Sequence, residues 1–202
     1  MSHHNLFSFD TLSLQEFDTD AELIPLLTPE DEEEMNNEAL PEDIAILPLR
    51  NTVLFPGVVI PITAGRDKSI KLINDANAKG KIIGVVAQID ENVEEPTPND
   101  VHHIGTVARI MRVLKMPDGN TTVILQGKKR FEIIEVVSEE PYLKAKIKDI
   151  PEKKPSKKDT EFDAIIDSVK ELAVQIINES PNIPSEATFA IKNIDSPSFL
   201  IN

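Results

Sequence analysis

A glycine followed by a lysine is the step from which phosphate-binding loops are built, and Gly127-Lys128-Lys129 offers one in a basic context. Such a loop needs another glycine five residues earlier and a Ser or Thr directly after the lysine. Thr122 and Lys129 stand at those two places, so the step carries no nucleotide chemistry. His102-His103 is not set in an H-E-x-x-H spacing and has no cysteine to join it. Neighbours on a strand point to opposite faces, which leaves adjacent histidines poorly placed to share a metal. The pair His3-His4 at the chain start reads as incidental. Glu94-Glu95 and Glu139-Glu140 lie beside turn residues, where solvated charge is the ordinary role. No nucleophile elbow of the G-x-S-x-G kind occurs, and no catalytic, cofactor or metal residue is assigned in this chain.

Binding is the remaining chemistry, and two features offer it. The basic set Arg109, Arg112, Lys115, Lys128, Lys129, Arg130, Lys144, Lys146 and Lys148 could line up as a stripe for RNA on a small barrel. Base stacking wants interleaved aromatics, however, and only Phe131 and Tyr142 lie among these residues. A lysine-rich solvated face is the plainer reading. The second feature is the run ILPLRNTVLFPGVVIPI over residues 46–62, with ten Val, Ile, Leu and Phe residues, three prolines and almost no charge. An apolar lip over residues 53–59 would distinguish unfolded from folded polypeptide, because a folded chain hides such side chains, and an edge strand there could pair with an extended peptide. Core packing is the competing role for most of these residues.

Pro48, Pro56 and Pro61 exclude a helix across that run, since each removes a backbone donor. The pattern instead predicts a strand over 44–49, a type II corner at Phe55-Pro56-Gly57, and a second strand over 58–62. Residues 66–79 have helical spacing, with Ile70, Ile73 and Ala76 sharing a face and Leu72 beside it. Gly80 follows where a left-handed cap belongs, with Lys79 and Lys81 at the negative helix end. KIIGVVAQI over 81–89 reads as a strand buried on both faces, and the proline-bearing acidic stretch 90–100 as a surface loop. A strand over 104–114 turns at Met116-Pro117-Asp118-Gly119-Asn120 into a hairpin arm over 121–126. Gly127 is expected to break or bulge that arm before a strand over 130–137. Residues 142–150 alternate Leu143, Ala145 and Ile147 against Lys144, Lys146 and Lys148, as in a sheet with one wet face.

The economical architecture for residues 44–150 is therefore an α+β domain, a small, twisted, partly closed β-barrel with one helix. Residues 151–158, PEKKPSKK, form a linker. A helical subdomain over 159–202 follows. Its first helix is strongly amphipathic, with apolar residues from Phe162 to Ile177 in an i, i+3, i+4, i+7 series. A shorter helix is expected from about 184 to 194, and Ser196-Pro197 has the form of an N-cap with proline at the first helical position. A helix that starts there has five residues left, so the expectation is a chain cut short, with more protein downstream.

The formal net charge is −14, from 35 acidic and 21 basic residues. Thirteen of the acids lie in residues 1–43, before the first basic residue, Arg50, so the body is close to neutral. Residues 1–43 are expected to be an acidic, disordered tail. Within it, the cluster Leu6, Phe7, Phe9, Leu12, Leu14 and Phe17 could let a short segment dock on a partner. Such a tail repels phosphate and so discourages nonspecific nucleic-acid binding. At 202 residues and 40% apolar content the chain is long enough for a real core, and without cysteine it has neither disulfides nor thiolate metal sites. The absence of a basic, apolar leader and of a membrane-length apolar run points to a cytosolic protein.

Four segments in order carry a family resemblance: Leu47-Pro48-Leu49-Arg50-Asn51-Thr52-Val53-Leu54-Phe55-Pro56-Gly57, Gly84-Val85-Val86-Ala87-Gln88, Ile104-Gly105-Thr106-Val107-Ala108, and Leu125-Gln126-Gly127-Lys128-Lys129-Arg130-Phe131. From about residue 41 onward the chain resembles the N-terminal substrate-binding domain of the Lon ATP-dependent proteases. The resemblance implies a PUA-like β-domain followed by the first helices of an α-helical subdomain. In the full-length family it implies a downstream AAA+ ATPase using ATP and Mg, a serine-lysine peptidase, and assembly as a hexamer. None of the motifs of those modules is present here, so no nucleotide-binding or catalytic residue carries over. The implied role is recognition of unfolded or tagged protein and help with assembly, with neither a membrane nor nucleic acid as partner. The residues expected to touch substrate or a neighbouring subunit are Leu54, Phe55, Val58 and Val59, with Arg50 at their edge. The rival readings are a stand-alone PUA-like module for RNA or a small ligand, and a pure assembly module pairing through the long helix. The chain by itself is expected to be monomeric or weakly associated.

Overall fold

The computed structural model describes residues 40–151, 159–184 and 186–201. The tail expectation over 1–39, with its histidine pair and apolar cluster, and nearly all of the linker expectation, residues 152–158, lie outside the described residues.

Among the described residues six strands and four α-helices follow in the order β1 (Asp43–Leu49), β2 (Val59–Ala64), α1 (Asp67–Lys79), β3 (Ile82–Ala87), β4 (Ile104–Lys115), β5 (Thr121–Ser138), β6 (Lys144–Asp149), α2 (Thr160–Glu179), α3 (Glu186–Lys192) and α4 (Pro197–Ile201). The sheet order is β2-β5-β4-β3-β1-β6, and β6 also pairs with β5. The circuit β5-β4-β3-β1-β6 thus returns to β5, and β2 hangs on as an edge strand. β1 and β3 run parallel, with Ile46 opposite Gly84, and the other pairs are antiparallel.

The prolines sit where a ladder can spare a donor. Ile46 donates its N–H to the carbonyl of Leu143 at 2.8 Å, on the β6 side of β1. Pro48, two residues on, turns its missing donor to that same side, where the β1 to β6 register has already ended at Ala45. Pro61 lies in β2, which has a neighbour on one side only.

β5 spans 18 residues and runs unbroken through Gly127, so the expected break is corrected. The register shifts from Val107 opposite Lys129 to Ala108 opposite Gly127, which leaves Lys128 as the bulged residue. What Gly127 supplies is space. A Cβ there would lie 2.1 Å from the carbonyl oxygen of Phe55, whose backbone crosses it.

Alternation on the strands divides the core in two. Leu47, Leu49, Ile83, Val85, Ile110, Val123 and Leu125 pack with Leu72 and Ile73 of α1 and with Leu54. Ile44, Ile46, Val86 and Val107 turn the other way and surround the fully buried ring of Phe131. β3 contributes to both, as its continuous apolar run requires.

α1 ends at Gly80 with φ 134°, and Lys81 donates its N–H to the carbonyl of Ala76 at 2.9 Å, which closes the cap. In α2 the side chain of Asp159 caps the first turn by accepting from the N–H of Phe162 at 3.0 Å. Ser196 caps α4 in the same manner, accepting from Phe199 at 3.1 Å. α2 packs against α3. Among the described residues no helix is long and apolar enough to cross a membrane.

Candidate binding lip and groove

The link from β1 to β2 is built as the proline and glycine in it dictate. Pro56 and Gly57 occupy the central positions of a turn, Gly57 at φ 82°, and Val58 donates its N–H to the carbonyl of Phe55 at 3.2 Å. Three further bonds hold the segment to the sheet. Gly57 donates to the carbonyl of Gly127 at 3.0 Å, Gly127 donates to the carbonyl of Val58 at 2.8 Å, and the buried hydroxyl of Thr106 donates to the carbonyl of Leu54 at 2.6 Å.

This anchoring sorts the expected site residues. Leu54 is 3% exposed and belongs to the core, so it fixes the lip from beneath. Val58 is half-buried against the same core and Val59 begins the edge strand. Phe55 is 37% exposed, and Val53, which was not among the expected contact residues, is 57% exposed. The outward apolar surface of the lip therefore belongs to Val53 and Phe55.

Arg50 is exposed and reaches away from the lip tip, donating to the carbonyls of Val93 at 3.3 Å and Glu94 at 3.5 Å. Arg66 donates to Val93 as well, at 3.4 Å, and to the side-chain carbonyl of Gln88. Gln88, 8% exposed, donates to the carbonyls of Asp90 at 3.2 Å and Val93 at 3.0 Å. Three side chains thus converge on one carbonyl and pin the acidic loop. Burial, with Arg50 close by, pushes the Arg66 guanidinium below its ordinary pKa, while Glu95 and Glu94 pull it back. Within the loop Asp90 accepts from both nitrogens of Asn92 at 2.9 Å. Asp100 accepts from Thr97 Oγ1 at 2.6 Å and from its N–H at 2.9 Å. These bonds favour the ionised carboxylates and hold both below the usual range. No sequence expectation gives Gln88 or Arg66 this clasping role, although a glutamine at the end of the run KIIGVVAQI is the kind of buried polar group that must find partners.

The result is a groove of about 640 Å³ beside the lip, between the end of β1, the free edge of β2 and the start of α1. Arg50, Arg66, Glu94 and Glu95 line its polar side and Leu49, Pro61 and Ile62 part of its apolar side. Mixed charge beside a few apolar side chains suits a polypeptide, which brings both kinds of group. Among the described residues no cluster of three His, Asp or Glu is placed to hold a metal. Gly127-Lys128 lies in a paired strand and not in a loop before a helix, so the residues present do not fit a nucleotide phosphate. The two aromatics that an RNA reader would need are both enclosed: Phe131 is fully buried, and Tyr142 is 9% exposed with its hydroxyl 3.2 Å from Asp75.

A family model for the substrate-binding domain of the ATP-dependent protease La (LON) matches residues 43–202. The chain belongs to the Lon substrate-binding domain family. Its full length is 77% identical to a stretch making up 25% of the Lon protease of Flavobacterium johnsoniae. Over 179 residues it is 49% identical to the Lon protease of Cytophaga hutchinsonii, covering 89% of this chain and 22% of that protein. The chain thus spans about a quarter of the length of these curated Lon relatives. Two solved Lon N-terminal domains share its fold. That of the Mycobacterium avium complex protease has a TM-score of 0.63 at 20% identity, over 78% of each chain. That from Xanthomonas campestris has 0.51 at 16% identity, over 76% of this chain and 91% of the other.

Proposed function

We infer that this Lon substrate-binding domain holds unfolded or tagged protein on the lip and in the groove beside it. It would serve as the non-catalytic front of a cytosolic, ATP-dependent serine protease that works in protein quality control. The observation that carries this reading is the lip itself, which presents Val53 and Phe55 outward while four backbone and hydroxyl hydrogen bonds keep it from collapsing. ATP, Mg and the serine-lysine peptidase chemistry belong to the rest of such a protein. The closed circuit of pairings around Phe131 supports a PUA-like small barrel as the description of the β-domain.

Assembly is a second role in the same reading, and the surface of α2 favours it. Ile165, Val169, Leu172 and Ile176 repeat at i, i+4, i+7 and i+11 and are 54%, 36%, 60% and 60% exposed. Hexamer formation would use such a stripe together with contacts from the rest of the protein. A stand-alone RNA module fits less well, because Phe131 and Tyr142 present no open ring face to a base.

The test is retention of unfolded casein by the chain and by a Val53→Ser, Phe55→Ala variant. Both side chains are solvent-exposed, so the variant should unfold within about 0.5 kcal/mol of the parent. Its hold on casein should fall by roughly tenfold, the effect of deleting exposed apolar anchors. Equal retention by a normally folded variant would remove the lip as the contact.

A further inference from the structure

A second cavity, of about 430 Å³, opens at the other end of α1. Its walls include Ala45, Ile82 and Val107, and four lysines, Lys79, Lys81, Lys128 and Lys129, stand around it against the single carboxylate of Asp43. Lys129 is 9% exposed and pairs with Asp149 at 3.1 Å. Lys79, Lys81 and Lys128 have no carboxylate partner among the described residues. Lys79 and Lys81 flank the C-terminal cap of α1, where the helix dipole offsets part of their charge, whereas Lys128 is the bulged residue of β5.

The same cavity is lined by Leu40 and Pro41, and Leu40 packs on the core around Phe131. The chain therefore enters the fold along the wall of a lysine-rimmed hollow. Directly before Leu40, residues 28–39 carry Glu30, Asp31, Glu32, Glu33, Glu34 and Glu38, with no basic residue and with Met35 among them. Glu38 is two residues from the wall, a reach of at most about 7 Å. A segment joined by so short a tether is present at an effective concentration on the order of millimolar, so weak screened contacts suffice to seat it.

We propose that this cavity is the docking site of the acidic segment 28–39 of the same chain, its carboxylates drawn to Lys79, Lys81 and Lys128. Charge complementarity and the tether select this occupant over an acidic polypeptide supplied from outside, which would compete for the same lysines. This goes beyond the holding of substrate at the lip and stands or falls separately from it.

Lysine acylation by a soluble active ester, mapped by mass spectrometry on the folded chain, tests it. Removing residues 1–38 should raise labelling of Lys79, Lys81 and Lys128 by roughly threefold to tenfold, the scale of a few screened ion pairs, and leave Lys115 and Lys148 unchanged. Glu32→Gln, Glu33→Gln and Glu34→Gln together, in the full-length chain, should give part of the same rise without any change to the folded domain. Salt at about 0.5 M should narrow the difference between the parent and the shortened chain. Equal labelling of these three lysines in parent, shortened and Gln-substituted chains overturns the proposal. A rise spread evenly over all lysines does so too, since it would mark only a general loss of negative charge.

Discussion

Gly127 leaves the lip no freedom to settle elsewhere. The nearest atoms to an added Cβ are the Phe55 carbonyl oxygen at 2.1 Å and its carbon at 2.9 Å, both backbone, so no rotamer change relieves the clash. Gly127→Ala should therefore cost about 1–3 kcal/mol, the range for forced overpacking, and should speed exchange of the Gly57 amide that bonds to Gly127. Lys128→Ala, at the bulge one residue on, removes a half-exposed side chain and should stay within about 0.5 kcal/mol. Denaturant midpoints for the two variants decide the matter, and equal losses would mean that the close approach is not what matters. A glycine in a strand pattern signals some such feature, but sequence alone could not tell a break from a crossing of two backbones, because the second backbone lies some seventy residues earlier. Leu54 poses the mirror-image problem. Its neighbours Val53 and Phe55 are as apolar, and contacts far off in sequence, the bond from Thr106 to the Leu54 carbonyl and the core around Leu54 among them, decide which of the three faces inward.

Elements were more legible than contacts because their signals are local. The turn at Pro56-Gly57, the cap at Gly80, the hairpin after Lys115 and the start of α2 at Asp159 each follow from a few adjacent residues. The bond that ties the segment just before β6 to α1 does not. Tyr142 reaches Asp75 at 3.2 Å, Asp75 also pairs with Lys71 at 3.4 Å, and the Lys144 ammonium lies 5.4 Å from the Tyr142 ring centre. Burial first, then the charge and hydrogen bond of Asp75, raise the Tyr142 pKa above its usual 10.0. A raised pKa in the folded state means that folding favours the protonated phenol. The stabilisation is complete below the unfolded pKa near 10 and is lost as pH rises through the higher folded value. The chain has one tyrosine and no tryptophan, so phenolate absorbance reads this single group. Its midpoint should lie above that of the denatured chain, and Asp75→Asn should bring it down. A midpoint equal to that of the denatured chain would mean that Tyr142 and α1 are not joined in this way.

At the scale of the whole molecule, periodicity says which face of a strand is wet but not which strands become neighbours, so it leaves the return of β6 to β5 open. Periodicity was likewise silent on which side of α2 is covered. Ile166 and Ile177 are buried, while Ile165, Val169, Leu172 and Ile176 form a separate exposed seam. A single stripe of four side chains falls well short of the roughly 1,200 Å² that a stable pair of proteins buries, so copies meeting through it should associate only weakly. Weak association would still matter to the proposed substrate binding, because lips brought together would act on one unfolded chain and raise its retention by avidity alone. The mass measured by light scattering should therefore climb with concentration for the parent chain and stay at one chain for Leu172→Glu. Because Leu172 is 60% exposed, that substitution leaves the fold and the lip untouched. Casein retention by the variant should then match the parent at low concentration and fall behind it by roughly tenfold or more where the parent associates. A parent that remains a single chain at every concentration would sink self-association through α2 and leave the lip to act one copy at a time.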